Sequence, residues 1–134
     1  MLESYIYRML AYIAENKGKL PIVKSTAGMN HELVGKVVSY IDENYMNKIT
    51  LQDIADYTHL SVPHFCRVFK KSTGYTFLKY LNMYRVEKSL IFLNDSQSVM
   101  NTAESCGFEN QNTYIRLFKQ FKGITPLQYK IMHY

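Results

Sequence analysis

Seven residues recur along this chain at one fixed interval. Arg67, Phe69, Lys70, Gly74, Thr76, Leu78 and Tyr80 reappear as Arg116, Phe118, Lys119, Gly123, Thr125, Leu127 and Tyr129, each 49 positions later. Ala55 reappears at Ala103, a shift of 48, so one extra residue has entered the second copy between them. Insertions of that kind fall in turns. A fixed period of this sort marks one supersecondary unit built twice, and any fold proposed for the chain has to contain it twice.

The unit is helical. Leu33, Val34, Val37, Val38 and Ile41 form one apolar stripe at spacings of three and four, which predicts a helix from about Asn30 to Asn44. Thr50-Leu51-Gln52-Asp53 has the spacing of a capping box and opens a helix through about Tyr57. Ser61-Val62-Pro63 restarts one, since serine caps and proline in the first turn removes only an N–H that lacks a partner there. That helix runs to Gly74, a C-terminal stop. Thr76 to about Asn94 is a longer apolar helix carrying Phe77, Leu81, Tyr84, Val86 and Leu93. Ser98 and Asn110 are the next N-caps, opening helices at about 99–105 and 111–122, with a short helix from Pro126 to Ile131. Residues 2–15, with Leu2, Ile6, Met9, Leu10 and Ile13, predict an amphipathic helix before a loop at 18–28.

Each copy therefore has the parts of a helix-turn-helix: a short helix with a small residue at the crossing, a tight turn, and a second helix with two unlike faces. Phe65, Val68 and Phe69 form the inward stripe of the first copy, leaving Pro63, His64, Arg67, Lys70 and Lys71 outward. In the second, Tyr114, Leu117, Phe118 and Phe121 turn inward while Gln111, Asn112, Arg116 and Lys119 do not. Arginine can bond a guanine edge with two donors, asparagine or glutamine pairs with adenine, and lysine neutralises phosphate. Solvated basic faces are common on single helices. The same Arg and Lys recurring in register in two helices point to double-stranded DNA. The connecting helix, about 19 residues, spans roughly 28 Å at 1.5 Å per residue, against about 34 Å for one turn of B-DNA. The two outward faces are thus expected in successive major grooves.

Charge is distributed accordingly. Residues 1–60 hold 6 Lys/Arg against 7 Asp/Glu, whereas residues 61–134 hold 10 against 4, so the net charge of +5 belongs to the second half. The 134 residues, 47% of them apolar, can build a core without metals or disulfides. Cys66 and Cys106 lie far apart in no paired motif and read as reduced thiols. His31, His59, His64 and His133 form no i, i+4 pair, so no metal or other cofactor is expected. Glu3, Arg8 and Glu15 interrupt the apolar N-terminus, leaving neither an export signal nor a membrane span. The chain reads as soluble and cytoplasmic, with no Gly-rich phosphate loop, nucleophile elbow or carboxylate pair to make it an enzyme.

Ile49-Thr50-Leu51-Gln52-Asp53-Ile54-Ala55, Phe69-Lys70-Lys71-Ser72-Thr73-Gly74, Arg85, Ala103-Glu104-Ser105-Cys106-Gly107-Phe108, and Phe118-Lys119 through Gly123-Ile124-Thr125-Pro126 together resemble the AraC/XylS DNA-binding domain over about residues 31–131. The resemblance implies an all-α fold: two helix-turn-helix subdomains, 30–75 and 96–134, joined by a connecting helix over 76–95. An N-terminal helix and linker over 1–29 would precede them. It implies control of transcription, most often activation, in the bacterial nucleoid, with RNA polymerase as a protein partner. The family's base-reading positions fall on Ser61, Pro63, His64, Cys66 and Arg67, and on Gln111, Asn112, Thr113 and Arg116. Lys70, Lys71, Lys119 and Lys122 fall where phosphate contact is expected.

Some positions depart from the family pattern. Ser89 stands for the usual Ala and Thr102 for the usual Ile, which predicts a looser core there. Pro63 and Cys66 offer little hydrogen bonding, so the first reader would lean on apolar contact and on Arg67. Most members of the family carry a further ligand-binding or dimerisation domain. Either this chain is the C-terminal part of a longer regulator, a homodimer then forming through residues outside this domain, or it stands alone. Two rival readings stand beside this one. One is a helical protein-interaction module with little DNA specificity. The other is an alkyltransferase-like repair activity, which would need a reactive cysteine, although Cys106 before Gly107-Phe108 reads as core.

Overall fold

A computed structural model describes residues 29–95 and 97–133. The helix expected over residues 2–15 lies outside them. Among the described residues there are seven α-helices and no strand: α1 (Met29–Asn44), α2 (Leu51–Thr58), α3 (Val62–Thr73), α4 (Phe77–Asn94), α5 (Val99–Ser105), α6 (Gln111–Lys122) and α7 (Pro126–Met132). None is long and apolar enough to cross a membrane.

The chain divides into two compact units. One comprises the described residues up to Asn44 together with Ile49–Tyr80; the other comprises Tyr45–Lys48 and the chain from Leu81 on. The division passes through α4, so the connecting helix contributes its first turn to one core and the remainder to the other.

In the first unit α1 packs on α2 and α3, and α2 packs on α3. Val37, Val38 and Ile41 of α1, Ile54 and Ala55 of α2, and Phe65 and Phe69 of α3 are fully buried. Aromatic edges organise this core: Phe65 and Phe69 stack with centroids 5.5 Å apart, and Phe69 meets the Tyr80 ring edge-on at 5.4 Å. Phe77 completes the cluster, 5.7 Å from Phe65. Pairs of this geometry contribute about 0.5–1.5 kcal/mol each beyond the area they bury.

The second unit repeats the arrangement. Val86 and Leu93 of α4, Ala103 of α5, Cys106, Phe108, and Tyr114, Leu117 and Phe118 of α6 form its core. Phe121 and Tyr129 pack against its margin. Ser89 and Thr102, which replace the family's usual Ala and Ile, are fully buried in this unit. Ser89 satisfies its hydroxyl by donating to the Val86 carbonyl. The Thr102 hydroxyl has no hydrogen-bond partner.

One segment ties into the second unit from far away in sequence. Arg85 Nε donates to the Tyr45 carbonyl and Nη2 to the Asn47 carbonyl, each at 2.8 Å, and its guanidinium lies 6.0 Å from the centre of the Phe108 ring. Tyr45 also meets Tyr84 edge-on at 5.7 Å. These contacts are why Tyr45–Lys48 belongs with α4–α7 and not with the helices that flank it in sequence.

Candidate nucleic-acid interface

Each second helix is set up by the same backbone turn. In the first unit α2 ends with His59 left-handed at φ 59°, the His59 N–H donating to the Asp56 carbonyl and the Leu60 N–H to that of Ala55. In the second, Gly107 is left-handed at φ 90°, its N–H donating to the Glu104 carbonyl and that of Phe108 to the Ala103 carbonyl. Every partner lies 48 positions after its counterpart, so the two turns are one structure built from different residues. The extra residue of the second copy enters after this turn and before the Asn110 cap, at Glu109.

Capping repeats as well. Thr50 accepts from the Asp53 N–H, and the Asp53 carboxylate accepts in return from the Thr50 N–H at 2.9 Å. Hydrogen bonding from the Thr50 backbone N–H, and secondarily from the Thr50 hydroxyl, holds the Asp53 carboxyl below its ordinary pKa. Ser98, 48 positions on, accepts from the Asn101 N–H. Ser61 opens α3 by accepting from the His64 N–H at 3.3 Å, and Asn110 opens α6 by accepting from Asn112 at 2.7 Å. Gly74 and Gly123 close the two helices at φ 82° and 80°, each N–H donating to the Lys70 or Lys119 carbonyl at 2.8 Å. Thr76 and Thr125 then cap α4 and α7.

Held this way, α3 exposes Ser61, Pro63, His64, Arg67, Lys70 and Lys71, with Cys66 half-buried beside them. Pro63, Arg67 and Lys70 follow one another at spacings of four and three, which is a single stripe on a helix of 3.6 residues per turn. In the other unit α6 exposes Gln111, Asn112, Arg116 and Lys119, with Thr113 half-buried. Asn112, Arg116 and Lys119 form the corresponding stripe, and Gln120 is exposed next to it.

Lys122 departs from the expectation of phosphate contact. Its ammonium donates to Glu87 Oε2 of α4, and only 7% of its side chain is exposed. The cause is its position next to Phe121, on the edge of the buried stripe, where Glu87 awaits a cation. Burial pushes the Glu87 carboxyl up to about 7 and the Lys122 ammonium down to about 8, against the mutual attraction of the ionised pair. Glu87 is the lone acidic residue of α4, and an acid inside an apolar helix was the available hint that some cation would be drawn inward.

Three further residues have roles that patterning did not disclose. His59 supplies a left-handed turn without being glycine. Gly107 has no room for a side chain, since a Cβ there would collide with the Tyr45 carbonyl and stand 3.0 Å from Arg85 Nε. Arg85 braces that turn from one side while holding the Tyr45–Asn47 backbone on the other. The thiol of Cys106, fully buried, is pushed up to about 12 by burial, which leaves almost no thiolate near neutral pH. No group of three or more potential metal ligands is clustered among the described residues.

Two helix-turn-helix units in one all-α chain define the class of tandem helix-turn-helix proteins. Residues 54–131 match the model of a helix-turn-helix domain family. An uncharacterised HTH-type transcriptional regulator of Bacillus subtilis, YdeC, is 37% identical over 99 residues, which are 73% of this chain and 34% of that protein. AdaA of the same organism, a bifunctional transcriptional activator and DNA repair enzyme, is 34% identical over 102 residues, 75% of this chain and 48% of its own length. The chain thus spans half or less of these relatives. Among solved structures, the DNA-binding domain of AdpA in complex with a target DNA superimposes with a TM-score of 0.70 at 26% identity, over 75% of this chain and 91% of that one. A probable AraC family regulator from Rhodopseudomonas palustris gives 0.70 at 26% identity, over 76% and 97%. The chain belongs to the AraC-type helix-turn-helix family of transcription regulators.

Proposed function

We propose that this chain is a sequence-specific reader of double-stranded DNA that regulates transcription from bacterial promoters in the cytoplasm, with α3 and α6 as its two recognition helices. One observation carries the reading. Arg67 and Lys70 on α3, and Arg116 and Lys119 on α6, are exposed on equivalent stripes of helices framed by the same turns and caps. An adaptor that bound only proteins would have no need of that correspondence. The co-structure of AdpA with a target DNA supports the reading from outside the chain.

The base-facing residues of this proposal are Ser61, Pro63, His64, Cys66 and Arg67 on one helix, and Gln111, Asn112, Thr113 and Arg116 on the other. Lys70, Lys71 and Lys119 meet phosphates, and Lys122, tied to Glu87, does not. α4 is 18 residues long, roughly 27 Å at helical rise, of the order of the ~34 Å between successive major grooves on one side of B-DNA. The target is accordingly two adjacent elements, without palindromy. Activation through contact with RNA polymerase is the mode of regulation proposed, in keeping with the activator AdaA.

Selection of duplexes from a random pool, followed by affinity for the selected duplex and a scrambled one at two salt concentrations, tests this directly. A motif covering two major grooves is expected. Arg67→Ala and Arg116→Ala should each cost about 1–3 kcal/mol on that duplex and relax preference locally, while Lys70→Ala weakens selected and scrambled DNA alike. Salt-sensitive binding to everything with no enriched motif would overturn the proposal.

A further inference from the structure

The two outward faces are equivalent in position but not in chemistry. Moving 49 residues along the chain, Val62 becomes Gln111, Pro63 becomes Asn112 and Lys71 becomes Gln120. Each change puts a side-chain amide on α6 where α3 has an apolar group or a cation, and all three amides are exposed. The ion pair with Glu87 then removes Lys122 from the charge that α6 can offer, whereas Lys70 and Lys71 of α3 are adjacent and both exposed. Arg67 and Arg116 are the common element.

Resting on the DNA-reading function proposed above, we infer a division of labour: α6 supplies most of the sequence discrimination, and α3 acts chiefly as an electrostatic anchor. Amides are the side chains that pair bidentately with the adenine edge, and together with Arg116 they specify an element containing both adenine and guanine. Pro63 and Val62 have no side-chain donor or acceptor and can offer only apolar contact with a thymine methyl. Cations on phosphate bring affinity without sequence information and a steep dependence on salt. The element under α3 is therefore read mainly by Arg67, with Ser61 and His64 beside it, and is more tolerant than the element under α6, which is strict.

Two double variants of the full chain separate the roles, each checked by circular dichroism for an unchanged fold. The probes are the selected duplex and its scrambled control. Gln111→Ala/Asn112→Ala is expected to lower the affinity ratio between the two duplexes at least tenfold, leave the salt slope unchanged, and on renewed selection lose information from one half of the motif. Lys70→Ala/Lys71→Ala is expected to weaken both duplexes equally and to flatten the slope of log affinity against log salt by about 2. Equal information in both halves of the wild-type motif, or a collapse of the affinity ratio in the lysine variant, would overturn the inference while leaving a bipartite reader intact. The absence of any enriched motif would instead remove the underlying function, and the inference with it.

Discussion

At residue 59 the fold demands a left-handed backbone and the chain provides histidine. The equivalent position of the second turn is Gly107, so the two copies allow the cost of a Cβ to be compared in one molecule. A left-handed residue with a Cβ costs about 1–2 kcal/mol, partly offset by the extra entropy that glycine loses on folding. His59→Gly should therefore stabilise the protein by about 0.5–1 kcal/mol in urea denaturation. Gly107→Ala incurs both the strained φ and a collision with the Tyr45 carbonyl, and should cost about 2 kcal/mol or more. A neutral Gly107→Ala would mean that the Tyr45 backbone is not held there. Thr102→Val makes the opposite test of a buried group. Its hydroxyl lacks a partner in a core where the family usually places an aliphatic side chain, so removing it should raise stability by about 1 kcal/mol. No gain would imply an ordered water at that hydroxyl.

Helix limits were legible from sequence because the groups that set them are local. The side-chain caps Thr50, Ser61, Ser98, Asn110 and Thr125 bond to N–H groups two or three positions away, and Gly74 and Gly123 each close a helix through a carbonyl four positions back. The exposed stripes of α3 and α6 were legible for the same reason, each being the complement of a short-range apolar periodicity. Bonds between elements were not. Lys122 finds Glu87 at a separation of 35 residues, and Arg85 finds backbone carbonyls 38 and 40 residues away. A carbonyl acceptor carries no side-chain signature at all, and a lysine at the edge of an apolar stripe looks the same whether it faces water or an acid.

The pairing of α4 with α6 through Glu87 and Lys122 has a consequence for pH. Glu87 titrates near 7 in the fold against an ordinary 4.5, so its contribution to stability is fully present below the unfolded value and is lost as pH rises through about 7. Lys122, depressed to about 8, has the reverse sense, its contribution being lost as pH falls through that value. Between about pH 7 and pH 5 the change belongs to Glu87. Over that window the wild type should gain stability relative to Glu87→Gln as pH falls, measured by urea denaturation of both at each pH. A constant difference would show that the pair, not burial, governs the carboxyl.

For the whole molecule, the order of residues in space differs from their order in the chain. The polypeptide leaves the first unit at Asn44, contributes Tyr45–Lys48 to the second, returns at Ile49, and crosses again within α4 between Tyr80 and Leu81. Neither unit is a contiguous stretch of sequence. A gene fragment encoding only residues from Leu81 onward would lack the Tyr45 and Asn47 carbonyls that Arg85 grips, leaving a buried guanidinium with two unmet donors. Such a fragment should show a broad, low-temperature melt by circular dichroism, and supplying the Tyr45–Lys48 strip within the same chain should sharpen it. Recombination that exchanges half of this domain between relatives by a single crossover between Tyr80 and Leu81 would combine one parent's Arg85 with another parent's 45–48 segment. Under the function proposed above, the specificity of α3 or α6 is therefore to be transplanted by grafting its exposed stripe, not by cutting the domain in two.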